Sequence, residues 1–282
     1  MSLKHPPYIE FENISKKFGN TLVLDNLNLS IPYGEITAII GPSGSGKTTM
    51  LNLLIGFVKP TKGRILFQSR NIIKDFSNVT TLFGFAAQEF SFYGELTVEE
   101  NLYYFGNLYK LKKEELKARA DELLKLLDID YARKTLAKRL SAGMGRRLDI
   151  ACSLIHNPKV LILDEPTQDL DPILRKELVG SIRKINRERE TTVIITSHLL
   201  GEIDDLCDNI GILYKGKIVK IGSPEQLKRF YGKRSMDDIF TFIVQKSERP
   251  TLHVTDKDYK EKIKEEEHKI VSVFGHLIHR EK

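Results

Sequence analysis

Long apolar runs are absent from this 282-residue sequence: no window approaches eighteen consecutive apolar residues, so we expect no membrane-spanning helix. The first residues also lack the apolar core of a secretory signal. Cysteine is scarce, and Cys152 and Cys207 lie in apolar segments without the spacing of a metal site. We therefore expect reduced, buried thiols in a cytosolic protein. The sequence contains neither an internal repeat nor a low-complexity tract.

Basic residues exceed acidic ones by 44 to 38, which gives a net charge of +6. The two signs are interleaved along the chain, so we expect a generally basic surface and no nucleic-acid groove, although acidic lipid headgroups nearby would suit that surface. The length allows one sizeable α/β core and a smaller additional unit.

The stretch 36–50 carries the strongest chemical signal. Its apolar beginning predicts a buried strand, and the following Gly-Pro-Ser-Gly-Ser-Gly-Lys-Thr matches the phosphate-binding pattern G-x-x-x-x-G-K-[ST]. The glycines let backbone N–H groups point at phosphate oxygens, Lys47 supplies a full charge, and the Thr48 hydroxyl is a Mg²⁺ ligand. A glycine–serine turn before a helix is the alternative, but the flanking strand and helix favour binding of a nucleoside triphosphate. The predicted nucleotide-binding residues are Gly41, Pro42, Ser43, Gly44, Ser45, Gly46, Lys47, Thr48 and Thr49.

Strands and helices alternate through the rest of the chain. Residues 8–33 alternate apolar and polar side chains between turn residues, which predicts antiparallel strands. Apolar strands at 159–163 and 191–196, separated by a helical pattern, predict βαβ units. The predicted fold class is therefore α/β: a P-loop NTPase core with a mostly parallel sheet and an amino-terminal antiparallel β subdomain.

A mostly helical insertion is predicted from about residue 89 to 155. Thr97 and Glu100 form a capping-box pattern that opens one helix, residues 112–127 show one apolar face, and a further helix is predicted at 145–155. The insertion thus forms an α-helical subdomain within the core.

The strand at 159–163 ends in two acids, Asp164 and Glu165. Two acids after a strand are more often a charge pair at a helix N-terminus. A phosphate loop in the same chain reverses that preference, because Asp164 would then hold Mg²⁺, usually through water, and Glu165 would polarise the attacking water. In a parallel sheet, Lys47, both acids and His198 would lie at the carboxyl ends of strands, where ligands collect.

Five elements follow one another in a diagnostic order: the loop 41–48, Gln88, the sequence Leu-Ser-Ala-Gly-Met at 140–144, the strand ending in Asp164 and Glu165, and His198. In this order the chain resembles the ATP-binding subunits of ABC transporters over residues 8–245. The segments around 197–208, 222–225 and 236–240 resemble the exporter branch that handles drugs, lipids, polysaccharides or ions.

The resemblance implies a role for each matching residue. Phe18 would stack on adenine, although the spacing alone predicts that Phe18 is a half-buried aromatic residue of a strand. Val23 would lie beside the ribose. Gln88 would reach Mg²⁺ and the attacking water, and His198 would bind the γ-phosphate and steady Glu165. The implied catalytic residues are Glu165, His198 and Gln88, and the implied metal ligands are Thr48, Gln88 and Asp164.

The same resemblance implies a dimer with two ATP molecules bound head to tail. Ser141 and Gly143 would contact the nucleotide of the partner subunit, and Asp171 would end the loop that crosses between subunits. The family's usual Leu-Ser-Gly-Gly-Gln is altered here, because Ala142 adds a Cβ and Met144 removes an amide. Either this composite site is weaker, or helical backbone at residue 142 tolerates alanine.

The implied activity is Mg²⁺-dependent hydrolysis of ATP that drives export through a separate integral-membrane permease. The subunit would be cytoplasmic and peripheral on the inner face of the cell membrane. One alternative is a soluble ABC-type ATPase acting in translation or DNA repair, although such proteins usually carry two cassettes or a long coiled-coil insertion. A regulatory module without turnover is disfavoured by Glu165 and His198.

Two further segments bear on partners. Phe90, Phe92 and Tyr93 either fold back onto the helices at 97–127 or line a groove for a short helix of the permease. The charged extension 246–282 is predicted to be a docking helix. Its His276 and His279 could bind a metal, but a pair without a third ligand is more often solvated.

Overall fold

The computed structural model describes residues 7–75, 79, 81–198 and 203–247, with only the backbone of residues 203, 246 and 247. The chain divides into two compact units, residues 1–240 and 241–282. The predicted boundary after residue 245 falls inside the last described helix and stays a prediction. The predicted docking helix, with His276 and His279, lies outside the described residues.

The strands of the described ranges form two sheets. They are β1 (Pro7–Phe18), β2 (Thr21–Pro32), β3 (Ile36–Ile40), β4 (Lys62–Phe67), β5 (Arg70–Asn71), β6 (Phe83–Ala86), β7 (Val160–Asp164), β8 (Thr192–Ser197), β9 (Asn209–Tyr214) and β10 (Lys217–Gly222).

The α-helices within the same ranges are α1 (Lys47–Leu54), α2 (Val98–Leu108), α3 (Lys113–Leu126), α4 (Ala142–Leu154), α5 (Pro172–Arg189), α6 (Ile203–Leu206), α7 (Pro224–Tyr231) and α8 (Met236–Ser247). Two short 3-10 helices, Asp130–Ala132 and Ala137–Arg139, lie between α3 and α4. None of these helices combines the length and the apolar character needed to cross a bilayer.

The smaller sheet has the order β2-β1-β4-β5 and is antiparallel. A turn at Gly19, whose φ of 56° suits glycine, joins the two twelve-residue strands β1 and β2. Their alternation places Ile9 and Phe11 in the core opposite Ile31 and Leu29. The predicted antiparallel subdomain is therefore confirmed.

The larger sheet has the order β10-β9-β3-β8-β7-β6, and every pair is parallel except β10 with β9. All residues of β3, β7 and β8 are buried, as continuous apolar strands covered on both faces require. The predicted strand 191–196 lies one residue further on in the structure, at Thr192–Ser197. Because β8 alone separates β3 from β7, the segments that follow these two strands meet at one edge.

The helical insertion between β6 and β7 is also confirmed. Thr97 and Glu100 form the predicted capping box of α2, and α3 buries its apolar face. The helix predicted at 145–155 begins earlier than expected, at Ala142, because the Ser141 side chain accepts a hydrogen bond from the Met144 N–H and caps the first turn.

One apolar cluster joins the two sheets through α1. Met50, Leu51, Leu53 and Leu54 of this helix are buried between side chains of both sheets. Cys152 and Cys207 are buried free thiols, as predicted. Because α1 is fixed on both sides, the loop that precedes it has a rigid support.

Candidate active site

The loop 41–46 turns sharply between β3 and α1 because two of its glycines adopt left-handed backbone conformations. Gly44 has a φ of 76° and Gly46 a φ of 105°. A Cβ on Gly46 would lie 2.7 Å from Leu24 Cδ2, so a side chain at this position would clash. The same position would be 3.5 Å from Val23 Cγ1, which places Val23 directly beside the loop.

The Lys47 ammonium is buried and held by the loop itself. Its Nζ donates to the carbonyl oxygens of Gly41 at 2.8 Å and Pro42 at 3.3 Å. It also forms an ion pair with Glu165 Oε1 at 3.2 Å, with both side chains less than a tenth exposed. The lysine of the phosphate loop and the acid after β7 are thus in direct contact.

The buried Ser45 hydroxyl provides a test of whether the loop fits a phosphate. Ser45 is 4% exposed, and its Oγ has no hydrogen-bond partner within the described part of the chain. A buried hydroxyl without a partner costs free energy, and a phosphate oxygen would accept a hydrogen bond from it. The loop therefore fits the triphosphate that its sequence predicts.

The Asp164 carboxylate at the end of β7 is held by two hydroxyl groups. Thr48 Oγ1 donates to Asp164 Oδ2 at 2.9 Å, and the Thr196 hydroxyl donates to Asp164 Oδ1. Burial raises the pKa of Asp164, and the hydrogen bonds from Thr196 and Thr48 oppose that shift. Thr48 and Asp164 are hard oxygen ligands, and Mg²⁺ is often bound by one or two such groups together with water and phosphate. The pair therefore fits the predicted Mg²⁺ site.

Thr196 is a residue of this site that the sequence pattern did not single out. Its Oγ1 also accepts the backbone N–H of Glu165 at 3.0 Å, so one side chain connects both acids. The available signal was a threonine near the carboxyl end of β8, the strand beside β7. That signal is weak, because threonine is common in strands.

Glu165 adopts a left-handed backbone conformation with a φ of 51°. Its Oε1 contacts Lys47, while its Oε2 accepts hydrogen bonds from His198, from N at 3.2 Å and from Nδ1 at 2.5 Å. Lys47 and His198 therefore hold the carboxylate from two directions. The structure brings together the predicted lysine, acid and histidine.

Gln88 reaches this site through an intermediate residue. Its Nε2 donates to Gln168 Oε1 at 2.7 Å, and the Gln168 N–H donates to the Glu165 carbonyl oxygen at 3.1 Å. The structure therefore joins Gln88 to the segment after β7, whereas its predicted contacts with Mg²⁺ and water stay predictions. Phe18 is half-buried next to Lys16, whose ammonium lies 4.5 Å from the centre of the Phe18 ring.

Ser141 and Gly143 lie at the start of α4 and contact a different part of the structure. The Ser141 hydroxyl caps α4, and a Cβ on Gly143 would lie 3.1 Å from Leu174 Cδ1 of α5. Ala142 is exposed and begins the helix, so its backbone accommodates a Cβ. Asp171 accepts the N–H groups of Ile173 and Leu174 and caps α5.

Comparison with known proteins identifies this arrangement. The profile of a family described as ABC transporter matches residues 24–168. The bacitracin transport ATP-binding protein BcrA of Bacillus licheniformis is 36% identical over 221 residues, which cover 78% of this chain and 71% of BcrA. The probable multidrug ABC transporter ATP-binding protein YbhF of Escherichia coli is 34% identical over 220 residues, again 78% of this chain. The aligned region spans 38% of YbhF, so this chain covers less than two thirds of that relative.

A solved structure shares the same fold. It is the dimeric structure of a post-hydrolysis state of the ATP-binding cassette MJ0796 bound to ADP and Pi. The TM-score is 0.67 at 29% identity, and the match covers 76% of this chain and 98% of the other. The α/β fold with its phosphate loop is therefore the fold of an ATP-binding cassette.

The hydroxyl of Thr196 should contribute measurably to stability because both acids depend on it. Thr196→Val keeps the shape of the side chain but leaves a buried N–H and a buried carboxylate oxygen without their partner, which we expect to cost about 1–3 kcal/mol. Denaturant unfolding with urea would measure this loss.

Thr37→Val is the matched control. Thr37 lies on the adjacent strand β3, is 0% exposed like Thr196, and its hydroxyl has no hydrogen-bond partner among the described residues. Its replacement should leave stability unchanged or increase it. If the two variants unfolded at the same urea concentration, the Thr196 contacts would have no net stabilising effect.

Proposed function

The chain belongs to the ABC transporter family of ATP-binding proteins, and on this basis we propose that it hydrolyses MgATP to drive export through a separate membrane permease. The contacts among Lys47, Glu165 and His198 at the ends of neighbouring strands carry this proposal. The names of the relatives, which include a bacitracin transport protein and a linearmycin resistance protein, support an exporter role.

The proposed chemistry begins with an exchange of partners at Lys47. In the structure its ammonium neutralises Glu165, 3.2 Å away. The γ-phosphate of bound ATP carries more negative charge than a carboxylate and would attract the same ammonium. Glu165, still held by His198, would then accept a proton from the attacking water. Arrival of the substrate would thus free the base that the reaction needs.

The remaining proposed roles concern positioning. Mg²⁺ held by Thr48 and Asp164 would neutralise part of the charge on the β- and γ-phosphates. Val23, which lies beside the loop, would contact the ribose, and Phe18 would stack on the adenine. Gln88 would approach the attacking water from its place beside Gln168.

The proposal includes a second ATP-binding subunit. Ser141 is exposed at the start of α4, where the positive end of the helix dipole favours an anion. Together with Gly143 it would contact the nucleotide of a partner, so that two subunits enclose two ATP molecules. The cassette MJ0796 has been described as a dimer, which supports this arrangement.

An exposed aromatic surface beside Gln88 supports a permease partner. Phe90 is 45% and Tyr93 is 50% exposed, although the Tyr93 hydroxyl lies 3.2 Å from that of Tyr104 on α2. The aromatic loop therefore does fold onto the helical insertion, yet leaves much apolar area uncovered. We define the aromatic surface as Phe90, Phe92, Tyr93 and Tyr104, and propose that a short permease helix covers it. This contact would hold the subunit at the inner face of the membrane.

Glu165→Gln should retain ATP binding but lose most hydrolysis, because the amide cannot accept the proton of water. We expect turnover to fall by roughly two or more orders of magnitude. Steady-state ATPase and nucleotide-binding measurements would show this separation. Lys47→Ala should instead weaken binding itself. Near-normal turnover of Glu165→Gln would remove Glu165 from the role of base, and unaltered affinity of Lys47→Ala would refute the phosphate-loop assignment.

Glu165→Gln should also form a dimer when ATP is bound, since hydrolysis no longer separates the subunits. Size measurement by light scattering with ATP, ADP and no nucleotide would detect the dimer. Adding Ser141→Arg should prevent dimerisation, because the large side chain would occupy the space of the partner's nucleotide. A monomer of Glu165→Gln at saturating ATP would exclude a homodimer and indicate a different cassette as partner.

Alanine at Phe92 or Tyr93 should reduce co-purification with the permease and leave the ATPase of the isolated subunit nearly intact. Tyr131→Ala is the control, because Tyr131 is 74% exposed but lies outside the aromatic surface. It should leave co-purification unchanged. Unfolding of the isolated subunit by the alanine substitutions at 92 and 93 would show that these aromatics are core residues and not a docking surface.

A further inference from the structure

Two buried charged side chains of α4 hold the loop 87–91, which carries Gln88 and part of the aromatic surface. Arg146 donates to the carbonyl oxygens of Ala87 at 2.8 Å and Gln88 at 2.9 Å. Asp149, one helical turn further on, accepts the backbone N–H of Ser91 at 2.9 Å. Because residues three apart lie on one face of a helix, α4 holds the backbone at both ends of this loop.

Aromatic contacts strengthen the same attachment. The Arg146 guanidinium lies 4.9 Å from the centre of the Phe90 ring, which is stacked on Phe92 with ring centres 4.9 Å apart. A Cβ at Gly145 would lie 3.0 Å from Phe90 Cζ, so a larger residue would push the ring away from the helix. Phe90, the first residue of the aromatic surface, therefore packs directly against α4.

Burial of these charges is costly, which indicates that the attachment is specific. Arg146 is 6% and Asp149 is 2% exposed, and their nearest charged atoms are 3.7 Å apart. Burial lowers the pKa of Arg146 and raises the pKa of Asp149 to about 6. Apolar contacts could hold a loop without this cost, but they would not fix individual backbone groups in place.

The neighbouring Arg147 is attached elsewhere. It donates to the Leu127 carbonyl oxygen at 3.0 Å and to Glu177 Oε2 of α5 at 2.6 Å. It is 8% exposed, close to the value for Arg146. Adjacent arginines of similar burial therefore connect α4 to different parts of the structure, and only the first is bonded to the loop 87–91.

We infer that Arg146, assisted by Asp149, is a positioning residue that makes the loop 87–91 move together with the start of α4. Ser141 caps the start of this helix and lies five residues before Arg146. Contact of a partner's nucleotide with Ser141 would therefore reposition both Gln88 and the aromatic surface. This inference rests on the proposed function, because it requires ATP to bring the start of α4 against a nucleotide. Arg146 would then be the physical connection between the nucleotide contact at Ser141 and the loop 87–91, which carries part of the aromatic surface.

A single tryptophan can report this movement, since the chain contains none. Phe92→Trp places the reporter against the Phe90 ring, over which the Arg146 guanidinium lies. We would introduce it into the full chain with Glu165→Gln, so that ATP stays bound, and measure emission and ATP binding with and without saturating ATP. Arg146→Gln, Arg146→Lys and the matched control Arg147→Gln would then be compared, after thermal unfolding has shown that each variant is folded.

ATP should change the emission of the reporter protein, and Arg147→Gln should preserve that change. In Arg146→Gln the ratio of protein with ATP-shifted emission to protein with unshifted emission should fall by about tenfold or more, because both charge-assisted hydrogen bonds are lost and a single one corresponds to about tenfold. Arg146→Lys should be intermediate, because one ammonium cannot reproduce both contacts of the planar guanidinium. If Arg146→Gln fails to fold, the lysine variant decides the result.

The measurements of ATP binding and of emission distinguish failure of the proposed function from failure of the positioning role of Arg146. If the reporter protein binds ATP but Arg146→Gln and Arg147→Gln give equal changes, the role of Arg146 is refuted and the proposed function stands. Binding of ATP without any change in emission would refute the role of Arg146 in the same way. If the reporter protein does not bind ATP at all, the proposed function fails and this inference fails with it.

Discussion

The ion pair between Lys47 and Glu165 is the contact on which the geometry of the site depends. Both side chains are less than a tenth exposed, and each charge offsets part of the cost of burying the other. The pair also joins two distant parts of the chain, the loop before α1 and the residue after β7. The hydrogen bonds from His198 to Glu165 add β8 to the same contact. Three strand ends are thus held together by one buried carboxylate.

The resting arrangement of these charges has a chemical consequence. A base that is neutralised by a buried ammonium is a poor acceptor of protons, and an ammonium paired with a carboxylate is only partly available to phosphate. If Glu165 is the base that we propose, a phosphate of bound ATP and Glu165 would compete for Lys47. Such competition would keep Glu165 neutralised until the triphosphate is in place, which suits the proposed link between hydrolysis and export.

The helix α4 connects this site to the exposed surface of the insertion. Its first residue follows the capping Ser141, and Arg146, Arg147 and Asp149 are all buried within its next two turns. Ala142 and Met144 alter the usual sequence at its start, yet the cap and the helix are retained. The helical backbone thus tolerates alanine at 142.

The sequence by itself determined the class of fold and the nucleotide chemistry. Strand periodicity, the loop 41–48 and the acids at 164 and 165 are local patterns, and each follows from what a strand end or a phosphate requires of nearby residues. Only the tertiary structure decided which side chains touch. The bridging role of Thr196, the contact of Gln88 with Gln168 and the hold of Arg146 on the loop 87–91 join residues that are 31, 80 and at least 58 positions apart. Local patterns carry no signal for such contacts, because they depend on how strands and helices pack after each has formed.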